Sequence, residues 1–267
     1  MNKPRDVIEF LGRHLICIGV TYRPKAGQSG ESSNFTAFAG CLIDIRGLIC
    51  ILTAGHIVRE LERLYSEEEI IRCVIADTFG PVIKDIHPVP FDFISSDRNY
   101  IDDDGLGLDF GLIFLPAYCV RLIAKHEIVP LDENAWRVGS GITPNHHFVL
   151  GFPEELTRSS LRDGEDGAVA PTLVRLEKLS SEEFSETTTY PRFVAKVNQN
   201  PLSTMRGLSG GPIFAFSSEK LDRYWIVAIQ SSWLPSKRIV FGCDLSVMGS
   251  ILYKWADEVL AEHTTRN

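Results

Sequence analysis

The chain has 267 residues, which suits one large domain or two small ones. Hydrophobic residues make up 44% and charged residues 23%, enough apolar material for a sizeable core. Lys plus Arg number 27 against 35 Asp plus Glu, a net charge of -8 with no basic tract, which argues against nucleic acid and anionic membranes as partners.

In chain order, "MNKPRDVIEF" carries early charges with no apolar segment behind them, and "LICIGV" (15–20) is too short for a signal core or a membrane span. The expectation is a soluble, cytoplasmic protein. "HLICIGVTY", "FTAFAGCLIDI" and "LICILTAG" are apolar runs separated by the polar "KAGQSGESSN" and a turn at "RG", the pattern of antiparallel hairpins. After His56, "IVRELERLYSEEEIIRC" changes to helical spacing through Ile57, Leu61 and Leu64. "CVIADTF", "VIKDIHPVP" and "FGLIFLP" again read as strands. "SSDRNYIDDDGLGLD" reads as a solvated acidic loop, because Asp102, Asp103 and Asp104 lack the spacing of a calcium loop.

A break near "KHEIVPLDENAW" (125–136) separates the first half, residues 1–125, from the second, 126–267. Beyond it, "HHFVLGFP", "APTLVRLEKL", "RFVAKVN", "GPIFAF", "YWIVAIQSSW" and "RIVFGCDL" are short strands, with "LRDGEDGAVAP" a polar connection. Apolar residues at Val247, Ile251, Leu252, Trp255, Val259 and Leu260 predict a closing helix over about 247–262, with Ser246 as its N-cap, packed on the second half. Helices do not alternate with strands, so two β-barrels side by side fit better than a βαβ sheet. The six cysteines sit mostly in apolar stretches without metal-ligand spacing, so buried thiols are expected rather than disulfides or zinc. No metal and no cofactor is expected.

"RGLSGGPIF" (206–214) wedges Ser209 among glycines. Read as G-x-S-x-G it would be the nucleophile elbow of an α/β-hydrolase, which needs an acid and then a histidine after the serine. The histidine that follows is His263, beyond the predicted helix, and the residues after Ser209 are strand-like rather than helical. The opposite order, His then Asp then Ser, is available. "ILTAGHIV" offers His56, "LDFGLIFL" offers Asp109 directly before an apolar strand, and Ser209 follows, at spacings of 53 and 100 residues. His56 and Asp109 then belong to the first half and Ser209 to the second, with the site between them.

These segments resemble the chymotrypsin/trypsin-like serine protease family: "TAGH" its T-A-A-H, "DFGLI" its D-I-A-L-L, and "GLSGGP" its G-D-S-G-G-P. The resemblance runs over about residues 15 to 250. It implies an all-β fold of two six-stranded antiparallel barrels with a C-terminal helix, and hydrolysis of a protein or peptide substrate. It implies that His56 is the base, that Asp109 orients it, that Ser209 attacks, and that the N–H groups of Gly207 and Ser209 form an oxyanion hole. It implies a substrate pocket with Ser203 at its base and Ser232, Trp233 and Leu234 as the facing strand; Ser203 carries no charge and Leu234 replaces a small residue, so small side chains are expected. Leu208 stands where digestive members carry an acid that pairs with a newly cut N-terminus, and Ile57 where they carry a disulfide cysteine, leaving Cys41 unpartnered. Gly55 for alanine is conservative in size. Two function classes remain open: a serine endopeptidase, which a partner protein could activate, and a silent peptide-binding scaffold on the same fold.

Overall fold

The computed structural model describes residues 4–25, 33–76, 88–126, 128–136, 144–157, 160–161, 169–185, 187–198, 202–217 and 220–266. His87, most of "KAGQSGESSN", most of "VIKDIHPVP" and most of "LRDGEDGAVAP" lie outside them.

The chain opens with helix α1 (Pro4–Gly12), which the sequence pattern does not announce. Its proline falls in the first turn, where the helix has no bond to lose, and Leu11 is fully buried. Strands β1 (Leu15–Pro24), β2 (Ser33–Ile45) and β3 (Leu48–Thr53) follow as two hairpins. Helix α2 (Gly55–Glu67) stops earlier than its helical spacing suggests. From Glu68 the chain is β4 (Glu68–Ala76), captured by pairing with β1, so tertiary pairing overrides local propensity.

Strands β5 (Val89–Pro90), β6 (Arg98–Asp103) and β7 (Leu108–Phe114) complete the first half. The acidic stretch expected to be a solvated loop is therefore partly strand: Asp102 and Asp103 pair with Asp109 and Leu108. Helices α3 (Ala117–Ile123) and α4 (Glu133–Trp136) occupy the connection to the second half. The remaining strands are β8 (His146–Gly151), β9 (Ser160–Leu161), β10 (Thr172–Lys178), β11 (Arg192–Lys196), β12 (Pro212–Ser217), β13 (Lys220–Leu234) and β14 (Ile239–Asp244).

The second half forms a closed barrel in the order β10-β11-β14-β13-β12-β8. The first half does not repeat this closure among the described residues. Its seven strands run antiparallel in the order β5-β4-β1-β2-β3-β7-β6, and β9 from the second half pairs with β2 as an eighth. The edge strand β5 is two residues long and ends in Pro90, which has no N–H to extend a ladder.

Leu52, Phe110, Leu150, Phe214, Ile226 and Leu252 share one apolar cluster, so the core is continuous from sheet to barrel. Helix α5 (Leu245–Arg266) belongs to that shared layer rather than to the barrel alone. Trp255 lies 5.3 Å from the Phe110 ring, and Asp257 pairs with Arg46 at 3.0 Å. The helix is capped by Asp244, whose Oδ1 accepts from Ser246 N at 2.8 Å, not by Ser246 itself.

All six cysteines are buried and unpaired. Among the described residues no helix is long and apolar enough to cross a membrane, and no cluster of three ligating side chains is placed to hold a metal.

Candidate active site

His56 is the second residue of α2, and Asp109 the second of β7. Asp109 Oδ2 accepts from His56 Nδ1 at 2.7 Å and Asp109 Oδ1 accepts from the His56 backbone N–H at 2.9 Å. The two bonds fix both the ring and the helix end that carries it. With Nδ1–H committed, Nε2 is the ring nitrogen free to accept a proton. Asp109 is 9% exposed, so the pair works in a partly water-excluded setting. Burial pulls the His56 pKa down, but the hydrogen bond and charge of Asp109, with a contribution from Asp102, hold it above the ordinary value.

Gly55 turns out to be a steric necessity rather than a near-neutral replacement. A Cβ there would fall 1.9 Å from the carbonyl oxygen of Ile101 and 3.2 Å from Asp109 Oδ1. The start of α2 is pressed directly onto β6.

Ser209 lies in a loop closed by Leu208 N to Met205 O (3.2 Å) and Gly211 N to Leu208 O (2.9 Å). Gly210 adopts φ +81, and a Cβ on it would come within 2.3 Å of both Ala39 O and Thr53 Oγ1. Only glycine lets this loop of the second half sit against β2 and β3. Leu208 is fully buried in the barrel core with Val149, Val174 and Ile213. An apolar anchor thus holds the loop.

Gly207 has φ +83, and its missing side chain leaves room for Phe152 O, which a Cβ would approach to 2.3 Å. Glu154 N donates to Arg206 O at 2.9 Å, which fixes the peptide between Arg206 and Gly207. Among the described residues neither Gly207 N nor Ser209 N donates a hydrogen bond.

His56 and Ser209 line one cavity of about 390 Å³, together with Gly207, Phe35, Phe38 and Glu154. Ser209 Oγ donates to Ser231 O at 3.3 Å, and no hydrogen bond joins it to His56. Ser203, Ser232, Trp233 and Leu234 are not among the residues lining this cavity. Ser203 is exposed, and both its N–H and its hydroxyl donate to the Glu155 carboxylate. Ser232, Trp233 and Leu234 pair with β14. The ladder slips between Gln230 and Ser232, and this bulge brings the carbonyl of Ser231 to the Ser209 hydroxyl. Nothing in "QSSW" distinguishes the two serines, so the role of Ser231 is invisible before the register is known.

No protein-family model and no curated protein matches the chain. Among solved structures it is similar to the active form of the Rv3671c protease of M. tuberculosis, at 12% identity and TM-score 0.47 over 93% of this chain and 82% of that one. It is also similar to a serine endoprotease of Yersinia pestis, at 13% identity and TM-score 0.49 over 96% of this chain and 67% of that one. Tobacco Etch Virus protease is a third, at 12% identity and TM-score 0.45 over 91% of this chain and 78% of that one. All three neighbours are proteases, the second a serine endoprotease.

Proposed function

We propose that the chain is a serine endopeptidase that hydrolyses a protein or peptide with His56, Asp109 and Ser209. The observation that carries this is the two-point grip of Asp109 on His56 at the edge of a cavity that Ser209 shares. Ser209 Oγ turns from Ser231 O toward His56 Nε2, which takes its proton as Oγ attacks the substrate carbonyl carbon. Asp109 stabilises the resulting imidazolium. The oxyanion settles on the N–H groups of Gly207 and Ser209; one such donor lowers the barrier by about 3 kcal/mol. The imidazolium then protonates the departing amine, and a water deprotonated by Nε2 releases the acyl group. Because buried Leu208 already holds the loop, no cleavage at the N-terminus is needed to form the hole.

The test is digestion of a peptide library, read by mass spectrometry, with wild type and Ser209→Ala. Cleavage by wild type alone supports the proposal. A second reading, a silent peptide-binding scaffold, is favoured by the bond from Ser209 Oγ to Ser231 O in place of one to His56. Peptides retained by wild type yet never cut would select it.

A further inference from the structure

The proposed reaction leaves one charged pair beside the base without a role. Asp102 stands opposite Asp109 in the antiparallel ladder between β6 and β7. Side chains opposed in this way project to the same face, with Cβ atoms about 5 Å apart, and like charges there destabilise each other. Compensation comes from α2. Arg59, one turn beyond His56, places Nη1 2.6 Å from Asp102 Oδ2. The Asp102 side chain is 14% exposed and that of Arg59 63%. The acid is therefore largely covered, across the ladder from the carboxylate that holds His56, while its counter-ion faces water.

We propose that Asp102 and Arg59 are a positioning pair for the proposed catalytic base, in which the Asp102 carboxylate stabilises the His56 imidazolium through space and Arg59 limits that effect. The inference rests on the peptidase reading for its purpose, though not for its electrostatics. Asp109 already accepts from Nδ1–H and from the backbone N–H of His56, so the second carboxylate adds field without competing for either hydrogen bond. The directions agree: Asp102 raises the His56 pKa and Arg59 lowers it, after the larger effects of burial and Asp109. Burial and Asp109 push the Asp102 carboxyl up, while Arg59 and His56 pull it down. Among the described residues, the other charged groups bordering the cavity are Glu60 on α2 and Glu154 after β8. The Glu60 carboxylate is held 2.7 Å from Arg63.

The consequence is a base whose strength is set by two neighbours with opposite signs. The experiment is titration of the His56 imidazole by NMR in wild type, Asp102→Asn and Arg59→Gln, beside the pH dependence of fluorophosphonate labelling of Ser209. Asp102→Asn is expected to lower the His56 midpoint by about 0.5 to 1 pH unit, and Arg59→Gln to raise it by a similar amount. Midpoints unmoved in both variants, or moved in the same direction, overturn the proposal. Arg59→Gln lies on the surface, so it tests the coupling even if Asp102→Asn fails to fold. The NMR midpoint does not require turnover: opposite shifts in a protein that never labels would sink the peptidase reading and keep the pair. Labelling with immobile midpoints would do the reverse.

Discussion

At the scale of single residues, the site is built by groups that make two contacts at once. Asp109 holds both the ring and the backbone of His56, and Gly55 lets β6 reach the helix that carries them. Gly55→Ala forces a methyl group into the Ile101 carbonyl, so we expect a stability loss of about 1–3 kcal/mol or more in urea denaturation. Leu208 is the other residue of this kind, because it fills the barrel core and sets the serine loop. Leu208→Ala should cost about 2–5 kcal/mol and slow Ser209 labelling at temperatures where the fold persists. Unchanged labelling would separate the loop from its anchor. Part of this scale is readable in the sequence: the segments around His56 and Asp109 point to a His–Asp pair, and the fold joins the two at 2.7 Å. Gly55 is not, since its need comes from a strand that approaches from 46 residues away, Ile101. Nor is Ser231, which depends on a bulge.

At the scale of elements, alternating apolar runs mark most of the strands, because one face of each meets a core. The acidic β6 escapes that pattern, since it is an edge strand whose acids pair with β7 and with Arg59. Helix α1 is too short for its periodicity to stand out. Closure of the barrel is a matter of how β10 and β11 meet, which no local pattern encodes. The role of α5 is likewise tertiary: its face of Leu245, Met248, Leu252, Ala256 and Val259 joins a cluster drawn from both halves. Leu252→Ala should therefore destabilise the whole molecule by about 2–5 kcal/mol in a single transition. Two separated transitions, with only the barrel affected, would show that α5 does not couple the halves. Asp244→Ala removes the cap and should cost about 1 kcal/mol.

At the scale of the whole molecule, stability and proton binding are linked. Burial brings His14 down to about 4, with Val129 raising and Arg13 lowering it; burial, Lys178 and His146 bring His147 down to about 4. Both bind protons more readily unfolded, where the midpoint is about 6.5. Each therefore lowers stability as pH falls from about 6.5 toward 4, by up to about 3 kcal/mol. His56 acts in the opposite sense. Its raised pKa adds stability below about 6.5 that is lost as pH rises through the folded value. Urea denaturation at pH 7 and pH 4.5 should show a clear acid loss, smaller by about 2 kcal/mol in His147→Leu.

The proposed reaction requires one meeting: His56 from the sheet half and Ser209 from the barrel half, which line one cavity, must pass a proton between them. The most direct measurement is the rate of covalent fluorophosphonate addition to Ser209, identified by mass spectrometry, in wild type and in His56→Ala. We expect a stoichiometric adduct on Ser209 in wild type and a rate reduced by more than about a hundredfold in His56→Ala. Equal rates in the two proteins, or an adduct on another residue, would contradict it.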